Sequence, residues 1–412
     1  MKQRLMTRLM AAFALAGSLL FSAMLQASQP PGWEQIVLDG RRTVVLADKT
    51  ARTVEPSCSG GPVMTAAGPV PGDTRFSFFI QRRNPNKLIV AFDGGGACWD
   101  EATCLGSVLA GSPIYSPVVD ETPESLAAGQ GLLDAANPAN PYKEYTKVFV
   151  PYCTADVHWG SRDTTYTLGS LSWTIRHRGS DNLIAVLDWL QRHGRSRQID
   201  LRRVHDLTVA GLSAGAYGTL NGFAFFAQAT PRARHNLIAD AGIGVLAERF
   251  YTQALYNAAD ESRERWGVSE NLPTWVPGFA AMWAEAATDP RQLAPLAFQA
   301  LAQWRPQARF ASLTTHLDAT QIFFYSAMKG NFTPGPPEAD EWYAGMKLIT
   351  SMTAAQPNYR YFIDAGTFHT FLANDARTYD VGVNGVSVAD WIRAMIKPGN
   401  RTWENLEAPL PF

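Results

Sequence analysis

The chain has 412 residues, 46% of them hydrophobic and 18% charged, and its 36 Lys and Arg against 37 Asp and Glu give a net charge of −1. That is ordinary for a globular protein with a large core, and a charge so near zero excludes steering of a polyion, so nucleic acid is not an expected partner. No internal repeat, heptad or long low-complexity tract interrupts the chain.

In chain order, Lys2, Arg4 and Arg8 precede an uncharged apolar run from Leu9 to Leu25, and Gln26-Ala27-Ser28 follows. A basic head, an apolar middle and a small residue describe a signal peptide over 1–27. Its removal takes the net charge to about −4 and leaves residues 28–412 as a single exported domain, secreted or periplasmic, with no stable membrane partner. An uncleaved anchor is the alternative reading, because the apolar run approaches spanning length. Gln29 to Pro71 is rich in Gly, Pro and Thr and reads as a surface wrap. Lys87-Leu88-Ile89-Val90-Ala91-Phe92 is a continuous apolar run of the kind that forms a central parallel strand, and Lys147 to Pro151 is another. From Ser180 to Leu190 the spacing of Leu183, Leu187 and Leu190 predicts a helix with Ser180 as its N-cap. Four cysteines, Cys58, Cys98, Cys104 and Cys153, make an even count in an exported chain and point to two disulfides. The short Cys98 to Cys104 loop suits a local staple and would leave Cys58 with Cys153, although all three pairings remain open.

Residues 209 to 218, VAGLSAGAYG, place Ser213 in a G-x-S-x-G frame between the apolar run Leu207 to Ala210 and a helical stretch from Ala216 to Ala227. A strand, a sharp turn with small residues on either side of a serine, and a helix are the setting of a nucleophile in an α/β-hydrolase. Beyond it, Phe250 to Arg309 reads as a helical, lid-like insertion. Strands are expected at Thr320 to Ser326 or just before it and at Tyr359 to Ile363, and a last helix at Val388 to Ile396. Strands alternating with helices predict a mostly parallel central sheet with helices on both faces.

A nucleophilic serine needs a base, an orienting acid and donors for an oxyanion. His158, His177, His193, His205 and His235 precede or closely follow Ser213, whereas the α/β-hydrolase order is serine, acid, histidine. His316 and His369 remain, and His369, in the loop after a strand, is the expected base; His316 then reads as a pocket wall. Asp318 is the expected acid, with Asp364 in reserve. The glycines in Phe92-Asp93-Gly94-Gly95-Gly96-Ala97-Cys98-Trp99 end a buried strand and suit an oxyanion loop, and the N–H of Ala214 suits the second donor. A plain turn is the simpler reading of the glycines; with no Lys-Ser/Thr after them they are not a P-loop. Trp99, Trp159 and Tyr217 are candidate substrate contacts from their places beside these motifs.

Several of these stretches together resemble the pectin acetylesterase family, which includes the Notum carboxylesterases. FDGGGACWDEATC is similar to its strand, acidic residue, glycines and cysteine pair; VPYCTADVHWG to its Y-C-S-x-D-V-W-x-G segment; AGLSAGAYG to its serine elbow; HLDATQIFFY to its Asp-x-x-Gln; and YFIDAGTFH to the stretch ending in its histidine. They occur in family order from about Cys58 to the C-terminus. The resemblance implies a Ser213, Asp318 and His369 triad, N–H donors at Gly95, Gly96 and Ala214, and no metal or organic cofactor. Ala97 stands where an aromatic residue is common, Ala216 where a second glycine is frequent, and Thr370 where plant members have cysteine; the first two are expected to widen or reshape the acyl pocket. The expected activity is hydrolysis of carboxylic esters through an acyl-enzyme, first of O-acetyl groups on a polysaccharide such as pectin. A general carboxylesterase or polyester hydrolase is the second reading, and a non-catalytic carbohydrate-binding protein on a hydrolase scaffold the third.

Overall fold

Runs rich in β-branched and aromatic residues build a nine-stranded sheet: β1 (Trp33–Leu38), β2 (Phe76–Gln81), β3 (Asn84–Phe92), β4 (Tyr145–Val150), β5 (Asp206–Leu212), β6 (Arg234–Asp240), β7 (Arg309–Thr315), β8 (Tyr359–Asp364) and β9 (Leu406–Glu407). This computed structural model describes residues 32–194, 199–256, 264–400 and 402–410; the segment read as a signal peptide lies outside the described residues. The strand order is β1-β2-β4-β3-β5-β6-β7-β8-β9. β1 with β2 and β2 with β4 are antiparallel, and every other pair is parallel. All seven residues of β5 are buried, which is why its sequence is a near-continuous apolar run rather than an alternation.

Successive side chains of a strand point to opposite faces, so the central strands supply two cores. Val209, Leu207 and Leu237 join one face with residues of helices α1 (Gly179–His193), α2 (Ala214–Ala229) and α3 (Leu293–Trp304). Ala210, Ile238 and Leu313 join the other with Trp391, Ile392 and Met395. Those last three lie on a C-terminal helix that spans Val388–Ile396, as its spacing predicts. Helices α4 (Ala319–Met328) and α5 (Pro336–Thr353) complete the set used below, and the C-terminal helix is α6.

Two elements differ from the sequence reading, and two are placed more closely than it placed them. The stretch read as a surface wrap holds β1, a sheet strand with Trp33, Ile36 and Leu38 buried, and two hairpins, Arg42–Val45 with Ala51–Val54 and Pro62–Thr65 with Gly68–Pro71. Ser180 is not the N-cap of α1: the helix begins at Gly179, whose N–H donates to the Asp156 carboxylate at 2.7 Å, a capping partner from a distant loop that local spacing cannot reveal. Thr320 to Ser326 is helical within α4, and the strand stands just before it as β7. The region between β6 and β7 is mainly helical, as read, from a short helix at Glu248–Phe250 to α3, which connects back to the sheet.

The structure pairs Cys58 with Cys153 and Cys98 with Cys104. Among the described residues no helix is long and apolar enough to cross a membrane.

Candidate active site

Ser213 follows β5, the glycine run follows β3, Asp318 follows β7 and His369 lies in the loop after β8. All four therefore gather at the carboxyl ends of the parallel strands, where open α/β sheets place their ligands. Ser213 has φ 54° and ψ −119° and begins α2, a conformation that non-glycine residues adopt only when the surroundings force it. The flanking glycines make the turn possible by close approach. A Cβ on Gly211 would stand 2.0 Å from the Gly215 carbonyl oxygen, and one on Gly215 would stand 2.2 Å from that of Phe92.

Asp318 is fully buried and caps α4, accepting the N–H groups of Thr320 and Gln321 at 3.0 Å each. A carboxylate is favoured there by the free N–H groups and the dipole of the helix. Gln321 explains the Asp-x-x-Gln spacing: one turn along, its Nε2 donates to Asp318 Oδ2 at 2.9 Å, while its Oε1 accepts the Ile243 N–H at 3.0 Å. With the acid so fixed, His369 Nδ1 lies 2.9 and 2.8 Å from the two carboxylate oxygens. That partner selects the tautomer protonated at Nδ1 and leaves Nε2 as a lone-pair base. Nε2 is buried and has no hydrogen-bond partner among the described residues, and His369 and Ser213 both line one cavity.

The reserve acid, Asp364, turns its Oδ1 to the Ala365 N–H at 2.7 Å instead of to the histidine. His316 is buried with Nε2 2.8 Å from the Ala408 carbonyl. It is not among the cavity-lining residues, so it is not a pocket wall.

Gly95 and Gly96 have φ 153° and 75°. The chain there is fastened to a neighbouring segment, with Ala97 N–H donating to Ile114 O at 3.1 Å and Ser116 N–H to Gly95 O at 2.9 Å. Those bonds leave the N–H groups of Gly95 and Gly96 without a backbone acceptor among the described residues, and Ala214, first residue of α2, has no carbonyl one turn back. Of these three, Gly96 and Ala214 line the cavity with Ser213, whereas Gly95 does not; free backbone donors beside a reacting carbonyl are what an oxyanion needs.

Two supports of this loop were not legible in the sequence. The carboxyl of Asp93, just before the glycines, is held well above the usual carboxylate range by burial and by the Glu121 carboxyl that shares a hydrogen bond with it. Nε2 of His158, 2.9 Å from the Asp93 carbonyl, donates to it from a ring that burial keeps neutral, with its pKa lowered to about 4. His158 lies in a segment where Ala155, Val157 and His158 all have positive φ. The buried Asp156 carboxylate holds that segment by accepting from Thr154 Oγ1 and from the N–H groups of His158, Gly160 and Gly179. Only the D-V-x-W pattern hinted at it.

The cavity is lined by Trp99, Trp159, Tyr217, Phe250, Phe324 and Met328 together with Ala97, Gly96 and Ala214. It encloses about 60 Å³, a narrow cleft well below the ~300–1,000 Å³ of drug-sized binding sites. Trp99 and Trp159 are 1% and 2% exposed, so they form an inner wall rather than an open stacking platform. Trp99 packs edge-on against Phe250, and Trp159 against Trp283 while donating to Tyr217 O at 2.7 Å. Ala97 lines the cavity, whereas Ala216, the other substitution expected to reshape it, lies behind the turn and is not a lining residue. Among the described residues no group of three His, Cys, Asp or Glu side chains could hold a metal ion.

The sheet order, with a serine on a strained strand-to-helix turn, is that of an α/β-hydrolase, and the solved structure of the Wnt deacylase Notum from Drosophila has the same fold. That structure matches with a TM-score of 0.54 at 16% identity, over 90% of this chain and 96% of that one. The family model for pectinacetylesterase matches residues 73–274. The palmitoleoyl-protein carboxylesterase Notum of Schmidtea mediterranea is 26% identical over 135 residues, which are 32% of this chain and 23% of that protein; the matched part is thus under a quarter of the relative's length. Over just under half of its length the chain is thus similar to the pectin acetylesterase family, and over 32% of it to Notum.

Proposed function

We propose that the chain is an exported serine esterase in which Ser213 attacks a carboxylic ester and releases it by way of an acyl-enzyme. His369 Nε2 takes the Ser213 proton and returns it to the leaving alcohol. Asp318 keeps Nδ1 protonated and stabilises the imidazolium. The N–H groups of Gly95, Gly96 and Ala214 hold the negative oxygen of the tetrahedral intermediate, and water, activated by the same histidine, then frees the acid. The observation that carries this reading is the cavity shared by Ser213 and His369, with Asp318 2.8 Å behind the imidazole. Export is supported by two disulfides, which persist in oxidising compartments.

The same cavity bears on the acyl group. An acetyl needs space for one methyl beside the serine, whereas the cavity that Ser213 lines is walled by Trp, Phe, Leu and Met, an apolar lining that suits an acyl chain. That favours the second sequence reading, a carboxylesterase taking acyl chains longer than acetyl, over the deacetylation of pectin; the planarian relative is itself named for a fatty acyl ester. The experiment is a series of p-nitrophenyl esters from acetate to palmitate, run beside acetate release from acetylated pectin, with Ser213→Ala as control. Activity that climbs beyond acetate and vanishes in Ser213→Ala is the expected outcome. Turnover confined to acetate and acetylated pectin would return the assignment to a polysaccharide deacetylase, and a folded protein inert to every ester and to a fluorophosphonate would sink the esterase.

A further inference from the structure

Asp240 is used by none of the steps above, yet it touches both loops that carry them, one through its main-chain carbonyl and the other through its buried side chain. Asp240 ends β6, opposite Leu212 of β5. Its carbonyl accepts the Ser213 N–H at 2.8 Å. Its Oδ2 accepts the N–H groups of Phe371 and Leu372, also at 2.8 Å each, and these are the second and third residues after His369. The side chain is fully buried, and Oδ1 has no partner among the described residues.

Backbone strain collects around this one residue. Ser213, Ala241 and Thr370 have φ of 54°, 59° and 58°: the first donates to Asp240, the second follows it, and the third precedes the pair of N–H groups its side chain holds. A β-branched threonine in the left-handed region is an outlier and persists only where its surroundings over-determine it. Here the two hydrogen bonds to the Asp240 side chain do so. Without them Thr370 relaxes toward negative φ, and His369, the next residue back, turns with it and away from Asp318.

We infer that Asp240 is a positioning residue of the reaction: its main-chain carbonyl holds the Ser213 turn, and its side chain fastens the His369 loop to that same point. The inference rests on the serine-esterase reading. It differs from the role of Asp318, which touches the imidazole itself.

The test compares Asp240→Asn with Asp240→Leu on p-nitrophenyl butyrate and follows amide hydrogen exchange at Phe371 and Leu372. Asparagine still offers one oxygen to the two N–H groups; leucine has nearly the same shape and offers none. In the leucine variant kcat falls at least 100-fold with KM within twofold of wild type, and Phe371 and Leu372 lose protection while β5 and β6 keep theirs. Asparagine restores kcat to within tenfold of wild type and restores most of that protection. If the leucine variant does not fold, the asparagine variant decides alone: a three- to tenfold drop in kcat, at unchanged KM, with faster exchange confined to the two amides. The inference is overturned if kcat is unchanged while those amides are exposed, or if kcat falls only as protection is lost throughout β5 and β6. A wild-type protein without esterase activity sinks the esterase reading and this inference with it, whereas an active wild type with indifferent variants sinks this inference alone.

Discussion

Gly96→Ala tests the oxyanion assignment through one methyl group. At Gly96 a Cβ would stand 1.9 Å from the Ile114 carbonyl oxygen and 3.1 Å from Phe324 Cζ, at φ 75°. Contacts under 3.0 Å are not tolerated, so the backbone must move by about 1 Å. It cannot do so freely, because Ala97 N–H donates to that same carbonyl. A displacement of about 1 Å at a reacting centre costs roughly 100-fold, and losing one oxyanion donor costs about 3–4 kcal/mol, or 10² to 10³ in kcat. The expected result is a fall of 100- to 1,000-fold in kcat on p-nitrophenyl butyrate, with KM changed far less, because the donor engages the oxyanion more strongly than the ground-state carbonyl. Gly111→Ala is the control: that glycine also has φ 71° but nothing lies within 4 Å of its Cβ, so it bears only the ~1–2 kcal/mol of left-handed strain and keeps wild-type kcat. A Gly96→Ala enzyme that folds and retains kcat within threefold would refute the assignment of this loop.

Ala97→Phe fills part of the cavity, and if the acyl chain lies there it should cut kcat/KM for octanoate about 100-fold or more relative to acetate, since each buried methylene contributes about 0.8 kcal/mol; an unchanged chain-length profile would place the acyl group elsewhere. His235 is buried against Thr230, and burial lowers its pKa to about 4. The unfolded chain therefore takes up a proton near pH 6.5 before the folded one does, and stability falls from there down to about pH 4. Replacing it in His235→Gln should make urea-unfolding stability decline less steeply over that window, by up to about 3 kcal/mol in total, and parallel pH profiles would contradict the burial argument. Opening the Cys58–Cys153 bridge with a pair of alanines should destabilise the protein by about 4–5 kcal/mol against about 2 kcal/mol for Cys98–Cys104. The separations are 95 and 6 residues, and the entropy of closing the unfolded loop grows with its length; equal losses in Tm would show that strain or residual structure dominates.

Much of the site was legible because its chemistry is written in short stretches. Two glycines around Ser213 mark a close crossing of strand and helix, Asp318 and Gln321 stand one helical turn apart, and His369 follows a run that can only be a strand. Strands buried on both faces read as apolar runs, and α6 reads from its spacing alone. The relations between distant segments were not legible. Ser180 was the better local cap, but Asp156 reaches the helix from another loop. Thr320 to Ser326 is apolar enough for a strand, yet the capping of Asp318 makes it a helix. β1 was hidden in a stretch whose glycines and prolines belong to its neighbouring hairpins, and its place in the sheet depends on β2, some forty residues on. The fastening of the oxyanion loop by Ile114 and His158, the Asp93 and Glu121 pair, and the grip of Asp240 on two loops all join residues tens to more than a hundred positions apart. Periodicity and turn chemistry act over one or two turns of chain, so the sequence by itself determined most of the elements and the candidate site residues; the distances between them, and the shape of the cavity they enclose, exist only once the sheet has brought their strand ends together.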